Sequence, residues 1–294
     1  MELRLENVNY TYGEQTNREV HALKDVNLTI GDGEFIGLIG HTGSGKSTLV
    51  QHLNGLVRAS SGRIFFNGKN IYDDDFKMID LRSKVGLVFQ YPEYQLFEED
   101  VISDVCFGPK NLGLSDDEAH LRAQEALRQV GMGEETYKKS PFDLSGGQKR
   151  RTAIAGILAM NPDILILDEP TAGLDPEGKN KIMDEIFNMH RQRGITVIFV
   201  SHSMEDVARY AGRIIVMDEG AIAWDGTPAE VFSHEAELSG MGLSLPQVTR
   251  IMHILRDSGM DVNADIFTVD DAVREITRYF KKNGSFRPGE KNDG

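Results

Sequence analysis

Gly40-His41-Thr42-Gly43-Ser44-Gly45-Lys46-Ser47, followed by Thr48, carries the spacing of a phosphate-binding P-loop. Glycines at those positions let successive backbone N–H groups converge on phosphate oxygens at a helix N-terminus. Lys46 then neutralises β/γ-phosphate charge, the Ser47 hydroxyl can ligate magnesium, and Thr48 adds a contact. A second candidate is Ile164-Leu165-Ile166-Leu167-Asp168-Glu169, an apolar run ending in two acids that can divide labour. Asp168 would hold magnesium, directly or through water. Glu169 would polarise an attacking water as general base, a role contributing ~10²–10⁴-fold. A third is Leu144-Ser145-Gly146-Gly147-Gln148, in which Ser145 caps the following helix while Gly146 and Gly147 allow close approach to an anion. Each segment alone has a plain reading, as a glycine turn, a solvated strand end or a capped helix. Together they describe a site that binds and hydrolyses a nucleoside triphosphate.

The elements that must position these residues are visible in the hydrophobic pattern. Leu3, Leu5, Val8 and then Leu23, Val26, Leu28, Ile30 alternate as in an antiparallel sheet. Glu34 to Ile39 is an apolar run entering the glycine loop, and the ladder Leu49, Leu53, Leu56 predicts a helix beyond it. The runs Val85–Phe89, Ile164–Leu167, Thr196–Val200 and Arg213–Met217 read as buried strands separated by helical stretches, so the core is expected to be a parallel α/β sheet. Residues 91 to 160 form a helical insertion, where Ser115-Asp116-Asp117-Glu118 reads as a capping box and Gly131 as the stop. After residue 234 the pattern becomes two small helices, around Val248, Ile251, Met252, Leu255 and around Ala272, Val273, Ile276, Tyr279. Residues 283–294 read as a flexible polar tail.

The 294 residues are 40% hydrophobic, with no apolar run near the ~18 a membrane-spanning helix needs. Met1 to Glu6 alternates charge with leucine, so export is not expected. The single cysteine, Cys106, permits no intrachain disulfide and fits a reducing compartment. A net charge of −14 repels phosphate backbones, so no nucleic-acid partner is expected. Cys106 and the eight histidines form no structural zinc pattern, and no metal beyond nucleotide-bound magnesium is expected.

Five ordered motifs make residues 1 to 234 resemble an ATP-binding cassette ATPase: the P-loop at 40–48, Gln90, the segment 144–148, Asp168-Glu169 and His202. The resemblance implies a RecA-like P-loop NTPase core with an N-terminal antiparallel β subdomain, an inserted α-helical subdomain and here a helical C-terminal appendage, residues 235–282. It implies ATP and Mg²⁺ as cofactors. Tyr12 stands where the family stacks adenine, with Tyr10 or an inward-packing role for Tyr12 as alternatives. Gln90 resembles the glutamine that ligates magnesium and senses the γ-phosphate, and His202 the residue that orients the water. Ser145 to Gln148 would contact nucleotide held by a second subunit. Asp175, in Ala172-Gly173-Leu174-Asp175, would link the two sites across the interface.

Within that family, Tyr91-Pro92-Glu93-Tyr94-Gln95-Leu96-Phe97 and the acids Glu98, Glu99 and Asp100 resemble the ATPase subunits of energy-coupling factor transporters, which import vitamins and transition-metal ions. This likeness implies that residues 91–104 dock a transmembrane coupling protein, whose arginines would suit those three acids. It also implies a second, paralogous ATPase subunit as dimer partner, a substrate-binding membrane protein reached through the complex, and a peripheral location on the cytoplasmic membrane face. The appendage would help hold two ATPase chains together or serve as a plain cap. The alternative class is a soluble cassette ATPase acting on nucleic acid, ribosomes or iron–sulfur assembly, which shares every nucleotide motif.

Overall fold

The computed structural model describes residues 1–14 and 19–283; the tail expectation for 284–294 lies outside the described residues. In chain order the strands are β1 (Leu3–Tyr12), β2 (Val20–Ile30), β3 (Phe35–Ile39), β4 (Ser61–Phe66), β5 (Lys69–Asn70), β6 (Val85–Val88), β7 (Ile164–Asp168), β8 (Thr196–Val200), β9 (Arg213–Asp218) and β10 (Ala221–Gly226). Two sheets result, ordered β2-β1-β4-β5 and β10-β9-β3-β8-β7-β6. The first is antiparallel, with Leu3 opposite Ile30 and Leu5 opposite Leu28, as the period-two pattern predicts. In the second, β6, β7, β8, β3 and β9 run parallel and β10 returns antiparallel along the edge.

Strands buried on both faces need continuous apolar runs, and all of β3, β6, β7 and β8 is buried. Alternation then sorts side chains between two cores. Phe35, Leu165, Leu167, Val197 and Phe199 join the helical insertion and the helix Pro176–Arg193 on one face. Ile36, Leu38, Ile164, Ile166 and Ile198 meet the small sheet and the helix Lys46–Leu53 on the other. Asp168 and Leu38 both lie beside Val200 in register, so the C-terminal ends of β3, β8 and β7 form one edge. Loops leaving that edge converge, which is where open α/β sheets bind ligands.

Two local expectations are revised. The helix after the glycine loop stops at Leu53, and Leu56 stands beyond it, 46% exposed. Ser115 caps the helix Asp116–Gln129 by accepting from the Glu118 N–H at 3.3 Å. The reciprocal arm of a box is not made, because the Glu118 carboxylate pairs with Arg122 one turn on. The helices Gln247–Asp257 and Val269–Lys282 enclose a third small core around Met252, Val262, Ile266 and Ala272, while Leu238, Leu243 and Leu245 still pack into the main one.

Candidate functional site

The loop from β3 folds back on itself because Gly40, Gly43 and Gly45 take φ of +152°, +87° and +104°. At Gly40 the space is also closed, since a Cβ would stand 2.3 Å from the Met217 carbonyl oxygen and 2.5 Å from Ser44 Oγ. At Gly43 nothing lies within 4 Å, so that turn opens toward a ligand. The buried Lys46 ammonium donates to the Gly40 carbonyl at 2.8 Å and the His41 carbonyl at 2.9 Å. An ammonium has three N–H donors, so one is left for a phosphate. Burial pulls the Lys46 pKa down, while Glu169 and Asp168 oppose the shift. Ser44 Oγ is buried without a hydrogen-bond partner, an orphan of the kind an anion satisfies. The His41 ring is held between the Thr42 carbonyl and Asp218.

Tyr12 ends β1 with its hydroxyl 3.2 Å from Thr48 Oγ1, half-exposed at the mouth of the loop. Tyr10 instead packs against the second core and meets Tyr12 and His52 edge to face, each with ring centroids 4.8 Å apart. Of the two tyrosines, Tyr12 is the one lining the cleft.

Asp168 is buried at the end of β7 and bonded to the Ser47 hydroxyl. Burial raises its pKa, partly offset by that hydrogen bond. A carboxylate so desolvated is the natural seat of a cation. Glu169 follows with φ +51°, a left-handed conformation that costs a non-glycine residue about 1–3 kcal/mol and persists only when its surroundings over-determine it. The turn is pinned by the Glu169 N–H to the Val200 carbonyl and the Ala172 N–H to the Glu169 carbonyl, each 3.2 Å. The conformation sends the Glu169 side chain between two partners: Gln90 Nε2 donates to Oε2 at 2.9 Å, and His202 Nε2 lies 2.8 Å from Oε1.

Together Tyr12, Thr42, Gly43, Gly45, Lys46, Ser47, Thr48, Gln90, Glu169 and His202 line one cleft of about 580 Å³. Val20, His21 and Ala22 of β2 line it too, which the sequence reading missed; the signal was their place opposite Tyr12 across the first hairpin. Gly40 and Gly45 as a cradle without Cβ atoms, the orphaned Ser44 hydroxyl, the free Lys46 donor and the desolvated Asp168 all suit a polyphosphate with a divalent cation.

Ser145 to Gln148 are not part of that cleft. They open the helix Gly146–Leu158 with a complete capping box, Gln148 N–H to Ser145 Oγ at 3.3 Å and Ser145 N–H to Gln148 Oε1 at 3.0 Å. Cβ atoms added at Gly146 or Gly147 would meet nothing within 4 Å, so this helix start faces open space. Asp175 is exposed and caps Pro176–Arg193 through the Gly178 N–H at 2.7 Å.

Among the acids expected to pair with a partner, Asp100 is already committed. It caps the helix Val101–Asn111 through Ser103 N–H at 2.9 Å and faces Lys138 at 3.7 Å, so its carboxylate already has partners within this chain. Glu99 is exposed and Glu98 half-buried. Beside them lies an apolar groove of about 470 Å³ whose lining includes Leu56, Ile79, Phe89, Leu96, Phe97 and Phe107. No helix of the described residues is long and apolar enough to cross a membrane.

The family model described as ABC transporter matches residues 23–172, half of the chain. An energy-coupling factor transporter ATP-binding protein EcfA2 from Clostridium tetani is 52% identical over 95% of this chain and 98% of its own length. Another EcfA2, from Caldanaerobacter subterraneus, is 54% identical over 96% and 98%. Among solved structures, cbiO1 of Clostridium perfringens, part of the ABC transporter complex cbiONQ, aligns with TM-score 0.71 and 41% identity over 86% of this chain and 98% of that one. A dimeric ATP-binding cassette, MJ0796, in a post-hydrolysis state bound to ADP and Pi, aligns at TM-score 0.69 and 32% identity over 76% and 98%.

Proposed function

This chain belongs to the ABC transporter family, among the ATP-binding subunits of energy-coupling factor transporters, and from that membership we propose that it powers an importer of vitamins or transition-metal ions as one half of an ATPase dimer docked on a transmembrane coupling protein. It is an ATPase whose hydrolysis is coupled to transport, and it binds nucleotide with a divalent metal. The observation that carries the detailed reading is the Glu169 carboxylate, held between Gln90 and His202 at the mouth of a cleft floored by Lys46 and Ser47.

ATP would lie with its phosphates on the N–H groups of Gly43 to Thr48 and its base against Tyr12. Magnesium would be held by Ser47, Asp168 and Gln90, and would neutralise β/γ-phosphate charge. Glu169 accepts the proton of the attacking water, while His202 and Gln90 fix the direction in which its oxygens point. Ser145, Gly146, Gly147 and Gln148 would complete the site of a second subunit, with Asp175 linking the two sites across the interface; their standing outside the lining of this chain's own cleft and their open surroundings support that arrangement. A paralogous ATPase is the proposed partner. Closure on ATP and release after hydrolysis would move the coupling protein, whose helices would seat in the groove flanked by Phe97, Glu98 and Glu99. A separate membrane protein would recognise the cargo, and the complex would lie on the cytoplasmic face of the membrane.

The test is affinity purification of the tagged chain from gently solubilised membranes of its source cell, with co-eluting proteins identified by mass spectrometry. Recovery of a second cassette ATPase with a polytopic membrane protein and smaller membrane binders is the expected result. Recovery with ribosomes, with DNA or without membrane protein would overturn the docking and importer reading.

A further inference from the structure

Among the described residues the bulkiest fully buried side chain is a charged one, Arg150, 2% exposed on the helix capped by Ser145. Its guanidinium grips Glu93 with two prongs, Nε to Oε2 at 3.1 Å and Nη2 to Oε1 at 2.8 Å. Its Nη1 donates to the carbonyls of Pro170 at 3.2 Å and Ala172 at 2.6 Å. Four of five N–H donors are thereby spent on groups from two other segments. Glu93 sits three residues after Gln90 on the 3₁₀ turn Pro92–Gln95, directly before the groove residues Leu96 and Phe97. Pro170 and Ala172 lie in the loop that starts at Glu169 and runs to Asp175.

Both attached segments begin with the same strained step. Tyr91 precedes Pro92 at φ +54°, and Glu169 precedes Pro170 at φ +51°. Residues before proline are driven toward extended backbone, so each left-handed step needs external restraint. Arg150 is bonded just beyond both. A buried ion pair is weak evidence for stability, because well-packed apolar side chains of the same volume do as well. What an apolar substitute could not supply is four directional bonds joining three segments.

We infer that Arg150 is a positioning residue that ties the groove-bearing turn to the loop orienting the Glu169 carboxylate, so that a helix seated in the groove sets the rate of turnover and not the affinity for nucleotide. The regulatory half rests on the docking proposed above; the orienting half does not.

The experiment compares wild type, Arg150→Lys, Glu93→Gln and the double variant, each as the full chain in the complex in which it purifies. Lysine keeps the charge but loses the planar fork. ATP KM is expected to hold within about twofold while kcat falls on the order of ten- to a hundredfold, and the double variant should be no slower than the worse single one. Amide hydrogen exchange should quicken at residues 171–174 in Glu93→Gln, although the substitution lies on the other segment. If Arg150→Lys fails to fold, Glu93→Gln, which leaves the guanidinium in place, carries the test. Wild-type kcat in the single variants, KM rising in step with falling kcat, or unchanged exchange at 171–174 would each overturn the inference. Turnover of wild type with and without the membrane protein is measured alongside: equal rates would sink the docking reading, while the kcat split still judges Arg150.

Discussion

Glu169→Gln separates charge from geometry at the reacting centre. The amide oxygen can accept from Gln90 Nε2 as Oε2 does now, and the amide N–H can donate to His202 Nε2 when the imidazole carries its proton on Nδ1. Both contacts, at 2.9 and 2.8 Å, can therefore survive in altered polarity. The stability at stake is that of a partly exposed side-chain contact, about 0–1 kcal/mol, or a Tm change of no more than about 2–4 °C. A base contributing ~10²–10⁴-fold corresponds to about 2.7–5.4 kcal/mol of barrier, several times larger than that stability change. The expected outcome is a folded chain that binds ATP at least as tightly as wild type, because a carboxylate facing the γ-phosphate has been neutralised. Phosphate release should fall by on the order of 10² or more, and an ATP-bound dimer should accumulate on size exclusion. Phosphate release measures the rate, a fluorescent nucleotide the affinity and light scattering the mass. Hydrolysis within about tenfold of wild type, with the fold intact, would refute the assignment of Glu169 as base.

Gly40→Ala would thrust a methyl to 2.3 Å from the Met217 carbonyl and 2.5 Å from Ser44 Oγ, so denaturant titration should show a loss of about 1–3 kcal/mol and nucleotide binding should fail; a stability change under about 0.5 kcal/mol would contradict the close packing. Asp168→Asn should raise the Tm of the nucleotide-free chain at neutral pH. Burial places the folded pKa of Asp168 above the unfolded one, so its charged form opposes folding, and stability rises as pH falls through the folded value toward the unfolded value. The gain from asparagine should therefore shrink in acid and reverse when magnesium and nucleotide are present; a lower Tm without ligand at pH 7 would count against it. Glu98→Lys with Glu99→Lys should release the chain from its membrane complex while sparing nucleotide affinity, and undiminished co-purification would remove these acids from the docking surface.

The phosphate-binding and catalytic parts of the cleft were legible because each follows the C-terminal end of a strand of the larger sheet, whereas Val20, His21 and Ala22 enter it from the start of β2. Sequence order says nothing of the sheet order β10-β9-β3-β8-β7-β6, but parallel strands align their ends whatever their order, so Lys46, Asp168, Glu169, Gln90 and His202 had to share one edge. Residues acting through packing were harder to assign. Asp100 reads as a free acid, yet Ser103 three residues on makes it a helix cap. Arg150 stands in the basic run Lys149-Arg150-Arg151 and reads as surface charge. The signal against that was helical spacing: Arg150, Ile154 and Leu158 fall at i, i+4 and i+8, and the latter two are buried at 1% and 3% exposure. A cation on an apolar stripe must be paired, so the pattern by itself demanded a carboxylate nearby. With 46 acids in the chain, only the turn Pro92–Gln95 decides which one it is. That turn is four residues long with no periodicity to betray it, and its place beside the helix Gly146–Leu158 is a consequence of the tertiary fold.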